Sequence, residues 1–212
     1  CAAVGCVLLG GETAEMPGVI EVGAVDVAGT MLGVVDRADL LPNSEVGPGH
    51  LVVGLASDGL HTNGWSLVRR LVADRDLTGP RPGADVPLID ELLVPHRSYL
   101  GPLDKAIGAG LVDALAHITG GGIPGNLSRA LPDGVGADLH LDRWEVPGLQ
   151  RWLIDEAGIG IDEASTIWNL GLGMLALVRP ERLDELRAAI DEPTWVVGEL
   201  NDGVGVRIHG DL

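Results

Sequence analysis

Glycine limits what this chain can become more than any other residue: 32 of its 212 residues are glycine, and they fall between short apolar runs with no fixed period. An aperiodic scatter excludes the collagen triple helix, solenoids and propellers, whose repeats return at constant spacing. What it permits is a set of short strands and helices, each ended where the backbone turns. Hydrophobic residues make up 46% of the chain, enough to bury a core, yet there are five Trp, one Tyr and no Phe. The core is therefore expected from Val, Leu, Ile and Ala, and stacking platforms for nucleic-acid bases are poor. With 14 basic and 31 acidic side chains the formal charge is −17. A soluble acidic globule is expected, with neither nucleic acid nor an anionic membrane as partner.

The apolar run Leu51 to Ala56 stops well short of the roughly 18 residues a spanning helix needs. Two cysteines, Cys1 and Cys6, are too few for a disulfide scaffold or a four-ligand zinc site, and a reducing cytoplasm is the expected compartment. The opening at Cys1 lacks a Met and a signal-peptide layout, and it reads as a cut rather than a natural terminus.

Periodicity predicts strands at Val4 to Leu9, within Val19 to Asp36, at Leu51 to Leu55, around Leu139 and Leu141, at Gly173 to Val178, at Trp195 to Val197 and at Val204 to Ile208. Helices are predicted through Trp65, Val68, Leu71 and Val72, capped by Thr62 or Asn63, and over Glu91 to Tyr99, Leu103 to Leu115, Leu149 to Ile154 and Glu181 to Ile190. A further helix is expected just after the glycines at 120–122. Leu41 to Gly49 reads as a boundary. Strands and helices alternate without a regular βαβ repeat, so the fold class is α+β, a mixed β-sheet flanked by helices.

Four segments could carry chemistry. Gly10-Gly11-Glu12-Thr13, continuing to Gly18, sets carboxylates in a glycine loop after an apolar run, either to approach a nucleotide and its Mg²⁺ or as a solvated turn. Ser57 to Gly64 places Ser57, His61, Thr62 and Asn63 between a strand and a helix, where His61 either carries a proton or hydrogen-bonds its own loop. His117 to Asn126 holds Thr119, Gly120, Gly121, Gly122 and Asn126. Three glycines in a row cost about 0.5–1 kcal/mol each relative to Ala, so something is expected to come close to that backbone, a phosphate on the following helix or a tight turn. In Asn169 to Met174, glycines alternate with apolar residues, which suits packing better than a ligand. No Walker loop, G-x-S-x-G elbow, His-Glu-x-x-His helix or paired C-x-x-C is present.

Taken in order, these segments resemble aminoimidazole ribonucleotide synthetase, also called phosphoribosylformylglycinamidine cyclo-ligase. Gly10 to Gly18 matches G-G-E-T-A-E-M-P-G, Gly59 to Arg69 resembles G-x-H-[ST]-N-G-[YW]-S-L-V-R, and Leu92 to Tyr99 resembles L-L-x-P-T-R-x-Y. His117 to Asn126 follows H-[IL]-T-G-G-G-x-x-x-N, and Asn169 to Met174 resembles N-x-G-x-G-M. Departures are His96 for Thr, Ile167 for Thr, Leu170 for Cys, and Pro124-Gly125 in the loop after the glycines; Ile167 and Leu170 are expected to remove polar contacts to substrate.

The resemblance implies a C-terminal fragment. Residues 1–41 would be the remainder of the N-terminal ATP-binding domain, contributing terminal strands, and 42–212 the C-terminal α/β domain, in a protein that is a homodimer when full length. It implies ATP-dependent cyclisation of formylglycinamidine ribonucleotide to aminoimidazole ribonucleotide, with release of ADP and phosphate, in purine biosynthesis. ATP and Mg²⁺ are the implied cofactors. Gly10, Gly11, Glu12, Thr13, Thr119, Gly120, Gly121 and Gly122 would bind ATP phosphates, with Glu12 holding the metal. Ser57, His61, Thr62, Asn63, Arg97 and Asn126 would bind substrate, and His61 would serve catalysis. The alternatives are another ATP-using member of the same superfamily, such as a selenophosphate synthetase, a thiamine-phosphate kinase or a hydrogenase-maturation factor, and a non-catalytic nucleotide- or partner-binding module.

Overall fold

The computed structural model describes all 212 residues, and they divide into two units, Cys1–Leu40 and Leu41–Leu212. In the second unit, the central strands are apolar on both faces and both faces are covered. Six strands form one sheet: β1 (Leu51–Ala56), β2 (Ala114–His117), β3 (Val135–His140), β4 (Leu172–Val178), β5 (Thr194–Asp202) and β6 (Gly205–His209). Their spatial order is β2-β4-β1-β5-β3-β6. All neighbours are antiparallel except β3 and β6, so the sheet is mixed, as expected.

Seven helices flank it: α1 (Trp65–Leu71), α2 (Leu88–Leu92), α3 (Leu100–Gly108), α4 (Gly122–Leu127), α5 (Gly148–Ala157), α6 (Ile161–Ile167) and α7 (Leu183–Ala189). On one face Val52 of β1 and Leu172, Leu175 and Leu177 of β4 join Val68, Leu92, Ile123, Leu127, Leu153 and Ala164 of the helices in the larger core. On the other, Val53 and Leu55 of β1 and Ala176 and Val178 of β4 meet Leu103 and Ala106 of α3 and Leu186 of α7. Burial on both faces explains why β1 and β4 read as unbroken apolar runs rather than alternating ones.

Several predicted elements need correction. The helix expected over Glu91 to Tyr99 is α2, which lies earlier and is already over before Pro95, whose ring disfavours helical backbone at the residue before it. The helix expected over Leu103 to Leu115 ends at Gly108, and after a left-handed turn at Gly110 the chain becomes β2. Helix α6 was not foreseen. Neither Thr62 nor Asn63 caps α1; the cap position is Gly64 in the left-handed region, with no side-chain cap bond.

Cys1–Leu40 contains only two short 3₁₀ turns, Ala2–Val4 and Arg37–Asp39, and one isolated bridge between Pro17 and Ile20. The strands expected at Val4 to Leu9 and within Val19 to Asp36, the terminal strands of the fold expectation, do not form. A strand persists only where a neighbouring strand takes its N–H and C=O groups, and no second segment of this unit supplies that ladder. No residue of the unit is buried, and Val22, Val25, Val27 and Val34 lie fully open.

Candidate functional site

Sheet register gathers segments that are far apart in sequence. The end of β1 pairs with the start of β4 through Ala56 and Leu172, and the end of β2 pairs with the same strand through His117 and Met174. The loops following β1 and β2 and the turn leading into β4 therefore open at one end of the sheet. The segment before α3 joins them through Tyr99, whose hydroxyl donates to the Ala56 carbonyl at 2.6 Å.

Asn169 ties the turn before β4 to the loop after β1. It is 3% exposed; its Oδ1 accepts from Ser57 Oγ, Gln150 Nε2 and the Gly171 amide, and its Nδ2 donates to the Gly59 carbonyl. Such a fully satisfied buried hub rigidifies what it joins. His61 sits in that loop with φ 56°, a left-handed conformation uncommon outside glycine. Its carbonyl accepts from Trp65 Nε1 at 2.8 Å, and its Nε2 accepts from the Asp58 amide at 3.2 Å. Its ring is 5% exposed and its Nδ1 is buried with no partner.

Two further histidines complete the cluster. The His96 ring stacks on His61 with centroids 3.8 Å apart and planes 11° from parallel. His96 Nε2 and His117 Nε2 lie 3.0 Å apart, one donating and the other accepting. One ring nitrogen from each of His61, His96 and His117 lies within 4.8 Å of the others. Burial, then the His96 and His117 rings, then Arg97, lower the His61 pKa from 6.5 to about 4. Burial also lowers His96, opposed by Asp58, and lowers His117, assisted by His96. Burial pushes the Tyr99 phenol upward, so it remains a hydrogen-bond donor. At neutral pH the cluster is thus three uncharged imidazoles beside a phenol.

Arg97 supplies the positive charge here. It pairs with Glu192 at 2.5 Å and faces Asp58 at 3.8 Å, with its guanidinium over the Tyr99 ring. A pocket of about 200 Å³ opens beside His117, lined also by Leu115, Asn126 and Arg129. Another surface cavity, about 490 Å³, is lined by Leu141 to Val146, Arg151, Asp211 and Leu212 and includes no motif residue.

The glycine loop after β2 is organised from within. Asn126, 6% exposed, donates to the carbonyls of Thr119, Gly120 and Gly122 and accepts from Thr119 Oγ1 and Arg129. A Cβ on Gly122, where φ is 60°, would lie 1.8 Å from the Ser165 carbonyl oxygen. The close approach that three glycines imply is therefore met, at Gly122, by helix α6 of the protein itself. Gly120 and Gly121 remain exposed, with Asn63 Oδ1 at 3.7 Å from a Cβ built on Gly120.

Of the residues singled out in the sequence, Ser57, His61, Thr62, Asn63, Arg97, Thr119, Gly120, Gly121, Gly122 and Asn126 all belong to the second unit, in or beside these loops. Thr62 is exposed. Gly10, Gly11, Glu12 and Thr13 belong to the first unit, where all four are exposed and nothing lies within 4 Å of a Cβ built on either glycine. His96, His117 and Asn169 were not foreseen as partners: no local spacing announces side chains that meet only through sheet register. Leu170 is fully buried within the larger core, so its departure from the resembled pattern is a packing change.

Residues 47–211 match the model of the family described as AIR synthase related protein, C-terminal domain. Among solved structures, E. coli HypE is 20% identical with a TM-score of 0.52, over 78% of this chain and 48% of that one. AaThiL, complexed with AMPPCP and TMP, is 14% identical with a TM-score of 0.51, over 79% of this chain and 49% of that one. T. maritima PurL complexed with FGAR is 19% identical with a TM-score of 0.49, over 82% of this chain and 27% of that one. The chain spans about half the length of HypE and ThiL, and at these identities the likeness is one of fold. No helix is long and apolar enough to cross a membrane. With the family model covering most of its length and the same sheet and helices on the page, this chain belongs to the AIR synthase related protein family, as its C-terminal domain.

Proposed function

We propose that this chain is the C-terminal part of an ATP-dependent enzyme that closes the imidazole ring of aminoimidazole ribonucleotide from formylglycinamidine ribonucleotide, releasing ADP and phosphate. One observation carries the reading: the segments that resemble the cyclo-ligase at 59–69, 92–99, 117–126 and 169–174 meet at one end of the sheet through Asn169, Tyr99 and the histidine cluster.

The reaction makes the amide oxygen a leaving group by phosphorylation and then lets an internal nitrogen attack, so the protein must hold anions and manage protons. Ser57 and Asn63, with the exposed backbone of Gly120 and Gly121, are proposed to bind phosphate or substrate, and Arg97 to neutralise charge next to them. His61, uncharged before ligand arrives, is a proton acceptor too weak for neutral pH; an anionic substrate alongside raises it toward the useful range. Thr62 is exposed and reaches substrate only from the rim, whereas Asn126 contributes by holding the loop.

Gly10, Gly11, Glu12 and Thr13 are proposed to meet ATP. The fit rests on open space at both glycines and on the unpaired, exposed Glu12 carboxylate, since Mg²⁺ is commonly held by one or two carboxylates together with the nucleotide's phosphates. Mg²⁺ there would supply charge neutralisation of the transferred phosphate. AaThiL, of the same fold, carries the ATP analogue AMPPCP.

The test is turnover of the full-length protein with formylglycinamidine ribonucleotide and ATP, following ADP and the aminoimidazole product. Ring closure is expected, with kcat reduced roughly 10²-fold or more in His61→Asn. ATP consumption with no cyclised product, or with phosphoryl transfer to thiamine phosphate instead, overturns the reading in favour of another member of the family.

A further inference from the structure

We propose that His61, His96 and His117 form a three-imidazole site for a divalent late transition-metal ion of the zinc class, separate from any Mg²⁺ that accompanies a nucleotide. The three side chains come from three elements, the loop after β1, the segment before α3 and the end of β2, yet one ring nitrogen of each falls within 4.8 Å of the others. Four-coordinate zinc with nitrogen ligands at about 2.0–2.1 Å requires ligand atoms a little over 3 Å apart, close to the 3.0 Å between His96 and His117.

A second observation is independent of this grouping. His61 is 5% exposed, and its Nδ1 is buried with no hydrogen-bond partner. A buried polar nitrogen without a partner costs about 1–3 kcal/mol, so the ring is not satisfied by the protein alone. A neutral imidazole has one lone pair, and on His61 it now receives the Asp58 amide at 3.2 Å. Ligation through Nδ1 moves the ring proton from Nδ1 to Nε2, so the Asp58 amide contact is given up for the metal bond. The near-parallel stack of His61 and His96 keeps their in-plane lone pairs in nearly parallel planes, so converging on one ion requires the His96 ring to turn. His96 is only half-buried and lies outside any helix or strand, and His117 is exposed, so both can move.

The ligand set also selects the ion. Three neutral nitrogens suit Zn²⁺, Cu²⁺, Ni²⁺ or Co²⁺, whereas Mg²⁺ prefers oxygen and keeps its waters. Three protein ligands leave a fourth position to solvent or substrate. Two other features of the chain could bind zinc and must be separated from this one: the free Cys1 and Cys6, and the His140–His209 pair beside Asp138.

The proposal is tested by Zn²⁺ titration calorimetry and by Co²⁺ absorption spectra on the whole chain, with Cys1→Ser and Cys6→Ser already introduced. One equivalent of Zn²⁺ is expected at micromolar affinity or better, undisturbed by millimolar Mg²⁺. His96→Thr and His117→Ala should each weaken it at least tenfold, while His209→Ala leaves it unchanged. In the unmutated cluster, Co²⁺ should give the intense visible d–d bands of low-coordinate nitrogen ligation, a readout that does not depend on any variant's folding. Zn²⁺ affinity unchanged in folded His96→Thr and His117→Ala, affinity lost in His209→Ala, or a Co²⁺ spectrum indistinguishable from the hexaaqua ion overturns the site. None of these readouts uses turnover, so the site is tested apart from ring closure; an ion on His61 occupies the lone pair that would accept a proton, so the proton-acceptor role belongs to the metal-free protein.

Discussion

Burial of His61 ties the stability of this domain to pH in the mildly acidic range. With its pKa near 4 in the fold and 6.5 as the ordinary value, His61 stays neutral while the same residue in an unfolded chain takes up a proton. Between those two values the unfolded state binds more protons, so stability rises with pH there. The contribution is fully present above about pH 6.5 and is lost progressively as pH falls toward 4; His96 and His117, also lowered, act with the same sign. Melting temperatures measured in chelator-treated buffer from pH 7.5 to 4 are expected to decline over that window in the native chain and to decline less in His61→Asn. Asn is the suitable replacement because it tolerates the left-handed backbone that His61 adopts. Equal slopes in the two proteins would show that the pKa of His61 is not lowered by the fold. Carboxylates held low, such as Asp113 with Asn43, His50 and Arg179 around it, act mainly at still lower pH.

Packing between elements separates two glycines that look alike in sequence. Gly122 lies where α4 meets the end of α6: its backbone is left-handed, and any side chain would run into the Ser165 carbonyl. Gly120, two residues earlier, has ordinary dihedrals, and its nearest neighbour, the Asn63 amide oxygen, lies at a comfortable 3.7 Å. Gly122→Ala is expected to cost about 1–3 kcal/mol or more. Gly120→Ala should melt within a degree or two of the native chain while weakening phosphate or nucleotide binding, measured by calorimetry with the two proteins side by side. Full ligand binding in Gly120→Ala would remove that glycine from the proposed anion contacts. The sequence shows the triple glycine but not which neighbour each glycine faces, because α6 has no strong period of its own and was not foreseen. The long apolar runs of β1 and β4 were legible because both faces of those strands are buried. The helix expected over 103–115 failed where Gly108 and Gly110 end one element and a short apolar run, equally compatible with helix or strand, begins the next. His61 stood out by its loop, whereas His96 and His117 join it only through the antiparallel pairing of β1, β4 and β2, which no window of sequence contains.

Over the whole molecule, burial is distributed unequally. Every buried residue lies in Leu41–Leu212, where two cores sandwich one sheet, while Cys1–Leu40 exposes nearly all of its valines and leucines. Since apolar burial is the main term favouring folding, the cooperative unit should be the second one by itself. A chain beginning at Leu41 is expected to melt in a single transition within a few degrees of the 212-residue chain, and protease should cut the longer chain first within 1–40. The same reasoning assigns the first unit a different liability: exposed aliphatic side chains without a strand ladder favour self-association. Removing residues 1–40 should therefore also lower the light scattering of concentrated solutions, even though it removes carboxylates that otherwise keep molecules apart. If the shortened chain lost its cooperative melt, the sheet would depend on the first unit for stability, and the assignment of all folding energy to the two cores would be wrong.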